Sequence, residues 1–313
     1  MRIVSLLPSA TEMICALGLR EKLVGVTHEC DFPPDVAGLS KVTQTHIPVD
    51  ANSAEIDRLV RERLGSRRAL YSLDRTALES LRPDLIVTQA LCDVCAVAEE
   101  DVSDAACALP GRPRVLNLEP RTLAEVLACL RIVGEAAGCP APSERVVAAY
   151  EARIEEVRRR VAKQGAERPR VVVLEWADPL FTCGHWSPEI VEIAGGREVV
   201  ARAGEKSRRM SWEELSGAAP EVLILALCGF GVERSLQDAA LLAKHPAWGA
   251  LPAVRGGRVW VTDGSAYFSR PGPRLVDALE MAAHLLWPEA VALPASVVRP
   301  VQWNGVRRGN NET

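Results

Sequence analysis

Two segments, one in each half of the chain, share the same order of polar and apolar positions: Leu81-Arg-Pro-Asp-Leu-Ile-Val-Thr-Gln-Ala-Leu-Cys92 and Ala219-Pro-Glu-Val-Leu-Ile-Leu-Ala-Leu-Cys-Gly-Phe230. In each, a helix end leads into a proline, an acid, a short continuous apolar run and a cysteine. An apolar run without polar alternation, rich in Leu and β-branched residues, reads as a strand buried on both faces, as strands of parallel sheets are. The repeat therefore predicts two similar α/β lobes.

The same patterning predicts strands over Ile3–Leu7, Leu23–Val26, Leu85–Thr88 and Val115–Leu118, with a helix through Leu123–Val133 closing the first lobe. Ser9-Ala-Thr-Glu12 has the spacing of a capping box and predicts a helix start. Turn-rich Gly138-Cys-Pro-Ala-Pro142 marks a boundary. From Ser143 to Gln164, Val146, Val147, Tyr150, Ile154, Val157 and Val161 recur at helical spacing with charge on the remaining face. At 1.5 Å per residue this helix would be on the order of 30 Å long and would serve as a stiff connector. Val171–Leu174, Val222–Leu227 and Val259–Thr262 are the predicted strands of the second lobe. The expected organisation is an N-terminal lobe over 1–138, a connecting helix over 139–168, a C-terminal lobe over 169–290 and a loose tail over 291–313, aperiodic from Leu293.

Composition narrows the picture. With 48% hydrophobic and 25% charged residues, net charge −4 and pI near 5.9, the chain is globular and carries no excess of positive charge suited to nucleic acid or anionic membrane. The opening Met1-Arg-Ile-Val-Ser-Leu-Leu-Pro8 lacks the apolar stretch of a secretory signal, and no run approaches a membrane span. The sequence as it stands reads as cytoplasmic, or as extracytoplasmic if a signal has been removed. Nine cysteines, odd in number and irregular in spacing, do not form a disulfide framework.

In open α/β sheets ligands bind beyond the carboxyl ends of the strands, and the chemistry-bearing residues concentrate there. Aromatics are only 4% of the chain, yet Phe32, Phe181, Phe230 and Phe268 all follow predicted strands, and Tyr71, Trp176, Trp186 and Tyr267 lie in comparable segments. Such placement suits stacking on a large planar ligand or capping of the sheet ends. Cys30, Cys92, Cys95, Cys183 and Cys228 obey the same rule, whereas Cys15, Cys107, Cys129 and Cys139 fall in helical segments and read as small buried apolar residues. Among the histidines, His28, His46 and His185 lie in strand-following loops.

Sulfur with imidazole suits a borderline metal such as zinc or iron, with His28, Cys30, Cys92 and Cys95 as the candidate ligands; a functional thiol and plain packing are the alternatives. Glu29, Asp31 and Glu175 are carboxylates of the same segments. Thr11, Gln89 and Cys228 complete the candidate ligand contacts. There is no Gly-x-Ser-x-Gly elbow, phosphate loop, dinucleotide fingerprint or His-Glu-x-x-His. An enzyme on this scaffold would use the Cys/His cluster with Glu29 or Glu175 as acid-base group.

In chain order, Ser5-Leu-Leu-Pro-Ser-Ala-Thr-Glu12, Gly25-Val-Thr with Asp31-Phe-Pro33, Pro83-Asp-Leu-Ile86, Asp178-Pro-Leu-Phe-Thr-Cys-Gly184 running to Glu192-Ile-Ala-Gly-Gly196, Ser211-Trp-Glu-Glu-Leu215 leading into Pro220-Glu-Val-Leu-Ile224, and Phe268-Ser-Arg-Pro-Gly-Pro-Arg274 resemble the cobalamin-binding members of the helical-backbone substrate-binding proteins, receptors of cobalamin, haem and siderophore importers. The resemblance spans about residues 2–287. It implies two Rossmann-like α/β lobes joined by a rigid helix, with a cobalamin, other corrinoid or similar planar ligand held between them without chemistry. By position it implies a pocket of Phe32, Trp176, Gly184, His185, Trp186, Phe230, Tyr267, Phe268, Ser269 and Arg270. It also implies an ABC transporter permease as partner, docked through one acid per lobe, loosely matched by Glu99 and Glu233. The His28-Glu-Cys-Asp31 and Cys92-Asp-Val-Cys95 segments depart from the family pattern.

Overall fold

A computed structural model describes residues 1–48, 51–66, 70–89, 99–165 and 167–303. The chain divides into two compact units, Met1–Glu151 with Pro271–Pro273, and Ala152–Arg270 with Arg274–Thr313.

The first unit runs β1 (Ile3–Ser5), α1 (Pro8–Ala16), β2 (Leu23–Val26), β3 (Ser40–Lys41), β4 (Thr43–Thr45), α2 (Ser53–Gly65), β5 (Tyr71–Leu73), α3 (Arg75–Leu81), β6 (Leu85–Thr88), α4 (Glu99–Ala108), β7 (Arg114–Asn117) and α5 (Leu123–Ala136). Its main sheet has the order β3-β2-β1-β6-β7, all parallel, and β4 pairs with β5 as a separate antiparallel ribbon. Every residue of β1 and β6 is buried, as their unbroken apolar runs require. The helix α6 (Pro140–Val161) follows, its residues 140–151 belonging to the first unit and 152–161 to the second.

The second unit runs β8 (Arg170–Ala177), β9 (Leu180–Thr182), α7 (Ser187–Ile193), β10 (Arg197–Glu198), α8 (Trp212–Ala218), β11 (Val222–Leu225), α9 (Val232–Leu242), α10 (Pro252–Arg255), β12 (Val259–Val261), α11 (Gly264–Tyr267), α12 (Leu275–Leu286) and β13 (Val301–Gln302). Its sheet has the order β10-β8-β11-β12-β13; β9 folds back antiparallel on β8, and β13 pairs antiparallel with β12. The protein is thus α/β with a largely parallel sheet in each unit, as the repeat predicts.

The structure explains why the repeated segment contains an acid. Both α3 and α8 end on a left-handed residue, Arg82 (φ 44°) and Ala219 (φ 42°), after which proline prevents the helix from resuming. The acid two residues further on accepts a backbone N–H at the start of the neighbouring strand: Asp84 from Arg2 at 2.6 Å, and Glu221 from Arg170 at 2.8 Å. The guanidinium of that same arginine donates to the last helical carbonyl, Arg2 Nε to Leu81 O at 2.7 Å and Arg170 Nε to Ala218 O at 3.0 Å. Each unit therefore carries one copy of a clamp that fixes where its strands begin, and hence where their carboxyl ends lie.

Two expectations are corrected. Helix α1 starts on Pro8, with Leu7 as N-cap and no side-chain cap; Ser9 and Glu12 are buried within it, because the missing N–H of proline costs nothing at a first helical position. The capping box belongs to α5, between Thr122 and Glu125. The segment from Leu293 is not loose as far as Trp303: Tyr267 Oη accepts from Val298 N at 2.9 Å, β13 joins the sheet, and Trp303 meets Trp248 edge-on at 5.5 Å. Residues 304–313 lie outside those described.

Candidate functional site

In the first unit the strand ends place Thr11, Thr27, His28 and Cys30 together. Thr11, in α1, and Cys30, after β2, are both buried, and the Cys30 Sγ lies 3.1 Å from Thr11 Oγ1 and 3.3 Å from Thr27 Oγ1. Burial raises the Cys30 thiol above its ordinary pKa, against smaller opposing effects of the threonine hydroxyls. His28 Nδ1 is 2.7 Å from Thr43 Oγ1 on β4, and its ring meets Tyr71 of β5 at 5.5 Å. Burial lowers the His28 pKa, chiefly against the attraction of Glu29, which favours the neutral imidazole. Lys41 Nζ donates to Cys30 O at 3.1 Å and anchors the loop to β3. Glu29 and Asp31 are exposed, not buried carboxylates. Phe32 is 42% exposed and Gln89 is buried.

The described residues do not by themselves make the expected metal cluster. Among the described residues no group of three or more His, Cys, Asp or Glu side chains could hold a metal ion. Cys92 and Cys95 lie outside the described residues, as does the side chain of Glu99. The division of cysteines by location also fails: Cys30 and Cys183 are buried, Cys228 is half-buried, and helical Cys107 is exposed. A strand-following position does not by itself expose a side chain, and a helix has a solvent face as well as a core face. Buried thiols with raised pKa values are poor nucleophiles and poor ligands.

In the second unit Glu175 and Trp176 end β8, while Cys228, Gly229 and Phe230 follow the adjacent β11. Cys228 N donates to Glu175 O at 2.8 Å and continues the hydrogen bonding to β8 beyond the end of β11. This brings the half-buried rings of Trp176 and Phe230 to 5.2 Å, tilted by 33°. Trp176 Nε1 donates to Asp178 O at 3.1 Å. Phe181 proves to be a strand residue, paired with Trp176 across β8 and β9.

The remaining predicted contacts serve mainly the interior. Trp186 is only 5% exposed, with Nε1 donating to Phe268 O at 2.7 Å, and Tyr267 and Phe268 are each 4% exposed. Their rings are committed to packing. Gly184 lets the 205–207 segment close over it: a Cβ there would fall 2.3 Å from Ser207 N. His185 adopts φ 54° and is held by two backbone bonds, His185 N to Glu205 O at 2.6 Å and Gly204 N to His185 O at 2.8 Å. Ser269 and Arg270 are half-buried, Arg270 Nη2 donating to Ser265 Oγ at 3.3 Å. Glu233 is exposed in the first turn of α9.

Two groups in contact with these residues were not singled out from the sequence. Arg234 lies with its guanidinium carbon 4.5 Å from the centre of the Phe230 ring and donates to Asp238 at 3.0 Å; its i, i+4 acid partner was the available signal. Glu198, in β10, left no signal. Its carboxylate accepts N–H bonds from Val173, Val200 and Ala201 at 2.9–3.3 Å and faces the buried Cys183 thiol at 3.8 Å.

Burial pushes the Glu198 carboxyl up to about 7, with the amide bonds acting in the opposite direction. A carboxyl whose pKa is higher folded than unfolded stabilises the fold below its unfolded value, and that stability disappears as pH rises to the folded value. Folding stability should therefore fall by about 3 kcal/mol between roughly pH 4.5 and 7 from this group. Urea unfolding followed across that range should show the fall, and Glu198→Gln should remove it; an unchanged pH profile in the variant would contradict the assignment.

Among curated relatives, the vitamin B12-binding protein of Vibrio cholerae is 24% identical over 288 residues, covering 91% of this chain and 88% of that protein. The uncharacterized ABC transporter substrate-binding lipoprotein YvrC of Bacillus subtilis is 23% identical over 298 residues, covering 92% and 80%. Among solved structures, a periplasmic haem-binding protein of Pseudomonas aeruginosa superposes with a TM-score of 0.71 at 21% identity, covering 96% of this chain and 94% of that one. The periplasmic vitamin B12-binding protein of Vibrio cholerae superposes with a TM-score of 0.65 at 23% identity, covering 91% and 96%. Residues 3–266 match the pattern of one family across these lobes, and the chain is accordingly a member of the periplasmic binding protein family.

Proposed function

We propose that this protein binds a corrinoid, or a planar metal-bearing ligand of the same kind such as haem, one per chain, without altering it chemically, and delivers it to an ABC transporter permease. The observation that carries the reading is the Trp176–Phe230 pair, two half-buried rings 5.2 Å apart at the carboxyl ends of adjacent parallel strands. That is where ligands of open α/β sheets bind, and rings so placed offer faces to a flat ligand. Phe32, exposed beyond β2, is a further proposed ligand contact by its place in the family pattern.

The relatives described as vitamin B12-binding and haem-binding support this ligand class, and the ABC transporter relative supports the permease. Exposed Glu233 is the proposed docking acid of the second unit, with Glu99 its counterpart in the first. Among the described residues no helix is long and apolar enough to cross a membrane. We place the working location outside the cytoplasm, as for the periplasmic proteins that the chain resembles.

Calorimetric titration with cobalamin, dicyanocobinamide and haemin provides the test. One of the three should bind 1:1 and be recovered unchanged; no heat with any of them, or a chemically altered ligand, would overturn the reading.

A further inference from the structure

We propose that Arg234 is a positioning residue for the ligand platform, holding the Phe230 ring in register with Trp176; the inference rests on the reading of those two rings as ligand contacts. Phe230 lies in the loop between β11 and α9, where a lone half-buried ring would have several rotamers open to it. Two features restrict it. Trp176 lies 5.2 Å away on one side, and the guanidinium of Arg234 lies 4.5 Å from the ring centre, within the range of a cation–π contact.

Arg234 is itself held. It sits in the first turn of α9, only four residues after Phe230, and donates from Nη1 to Asp238 Oδ1 at 3.0 Å one turn later. The Asp238 side chain is 1% exposed and that of Arg234 28% exposed. A planar guanidinium can bond a carboxylate with one edge while its face rests on a ring, so the buried acid fixes the cation and the cation fixes the ring. The backbone reinforces the arrangement, since Phe230 O accepts from Ser265 N at 3.2 Å and Phe230 N donates to Leu227 O at 3.1 Å. The platform is thus preorganised: its rings are ordered before a ligand arrives, and binding need not supply their ordering entropy.

The test uses the full chain with ring-labelled phenylalanine, which yields four ring spin systems, one for each phenylalanine. Without ligand, Arg234→Met should shift the Phe230 ring resonances and leave those of Phe32, Phe181 and Phe268 in place. It should weaken binding of whichever of cobalamin, dicyanocobinamide and haemin the unmodified protein takes up by about 3- to 30-fold, and Arg234→Lys should restore part of that loss. Arg234→Met also takes this cation from the buried Asp238 carboxylate and should lower the thermal unfolding midpoint, so ring shifts and affinity are read on folded protein well below that midpoint, where a general loss of stability moves neither. An unmoved Phe230 resonance, or an affinity within twofold of the unmodified protein, would overturn the inference. If the unmodified protein bound none of the three, the ligand reading would fall and this role with it, while a shifted Phe230 resonance would still record the contact between cation and ring.

Discussion

Trp186→Ala should lower folding stability by about 3–5 kcal/mol, the range for truncating a buried Trp. The ring is 5% exposed, stacks on His185 at 5.4 Å and donates its N–H to Phe268 O. Truncation would leave a cavity at the N-terminus of α7 and remove the only donor seen on that carbonyl among the described residues, and a buried acceptor without its donor carries a further cost. The unfolding transition in urea should move to markedly lower concentration. A loss below 1 kcal/mol, with ligand affinity reduced instead, would show that this ring faces the ligand and not the core.

Trp176→Ala should do the opposite: leave stability nearly unchanged and weaken ligand binding by roughly 5- to 150-fold, corresponding to ~1–3 kcal/mol for one buried aromatic contact. Trp176 is half-buried, and its indole N–H bonds locally, to Asp178 O. Its removal also deprives Phe230 of the neighbour at 5.2 Å. Calorimetry on the folded variant gives the measurement; affinity within threefold of the unmodified protein would remove Trp176 from the binding surface.

The contrast between these two tryptophans shows what was legible in the sequence. Both lie in segments that follow strands, and sequence position alone treats them alike. Trp176 lies on β8 two residues beyond Leu174, the last position paired with β11, so its ring is at the end of the sheet. Trp186 is the N-cap of α7, and the start of that helix turns its ring inward. Continuous apolar runs, by contrast, identify β1, β2, β6, β8, β11 and β12 directly, because burial on both faces leaves no room for polar residues. The strands β3, β4, β5, β9, β10 and β13 have two or three residues each and, unlike the equally short β1 and β12, do not stand out as apolar runs. β3, β9, β10 and β13 form because longer neighbours offer them an edge, and β4 and β5 because they pair with each other, a long-range cause that no local pattern records. In the candidate site, the facing of side chains within the loops that follow the strands depends on contacts such as Trp186 with Phe268 and Cys183 with Glu198, which no local pattern records.

The last of the short strands has a bearing on solubility. Val301 and Gln302 cover β12 through Trp260 and Val261, and Trp303 N donates to Val259 O at 2.8 Å, so three residues near the end of the described chain occupy what would otherwise be the open margin of a mainly parallel sheet. Bare strand margins invite pairing between molecules. In this protein a strand of two residues serves as the hem of the sheet, too short to template a neighbour itself and sufficient to deny the longer strand behind it to a second chain.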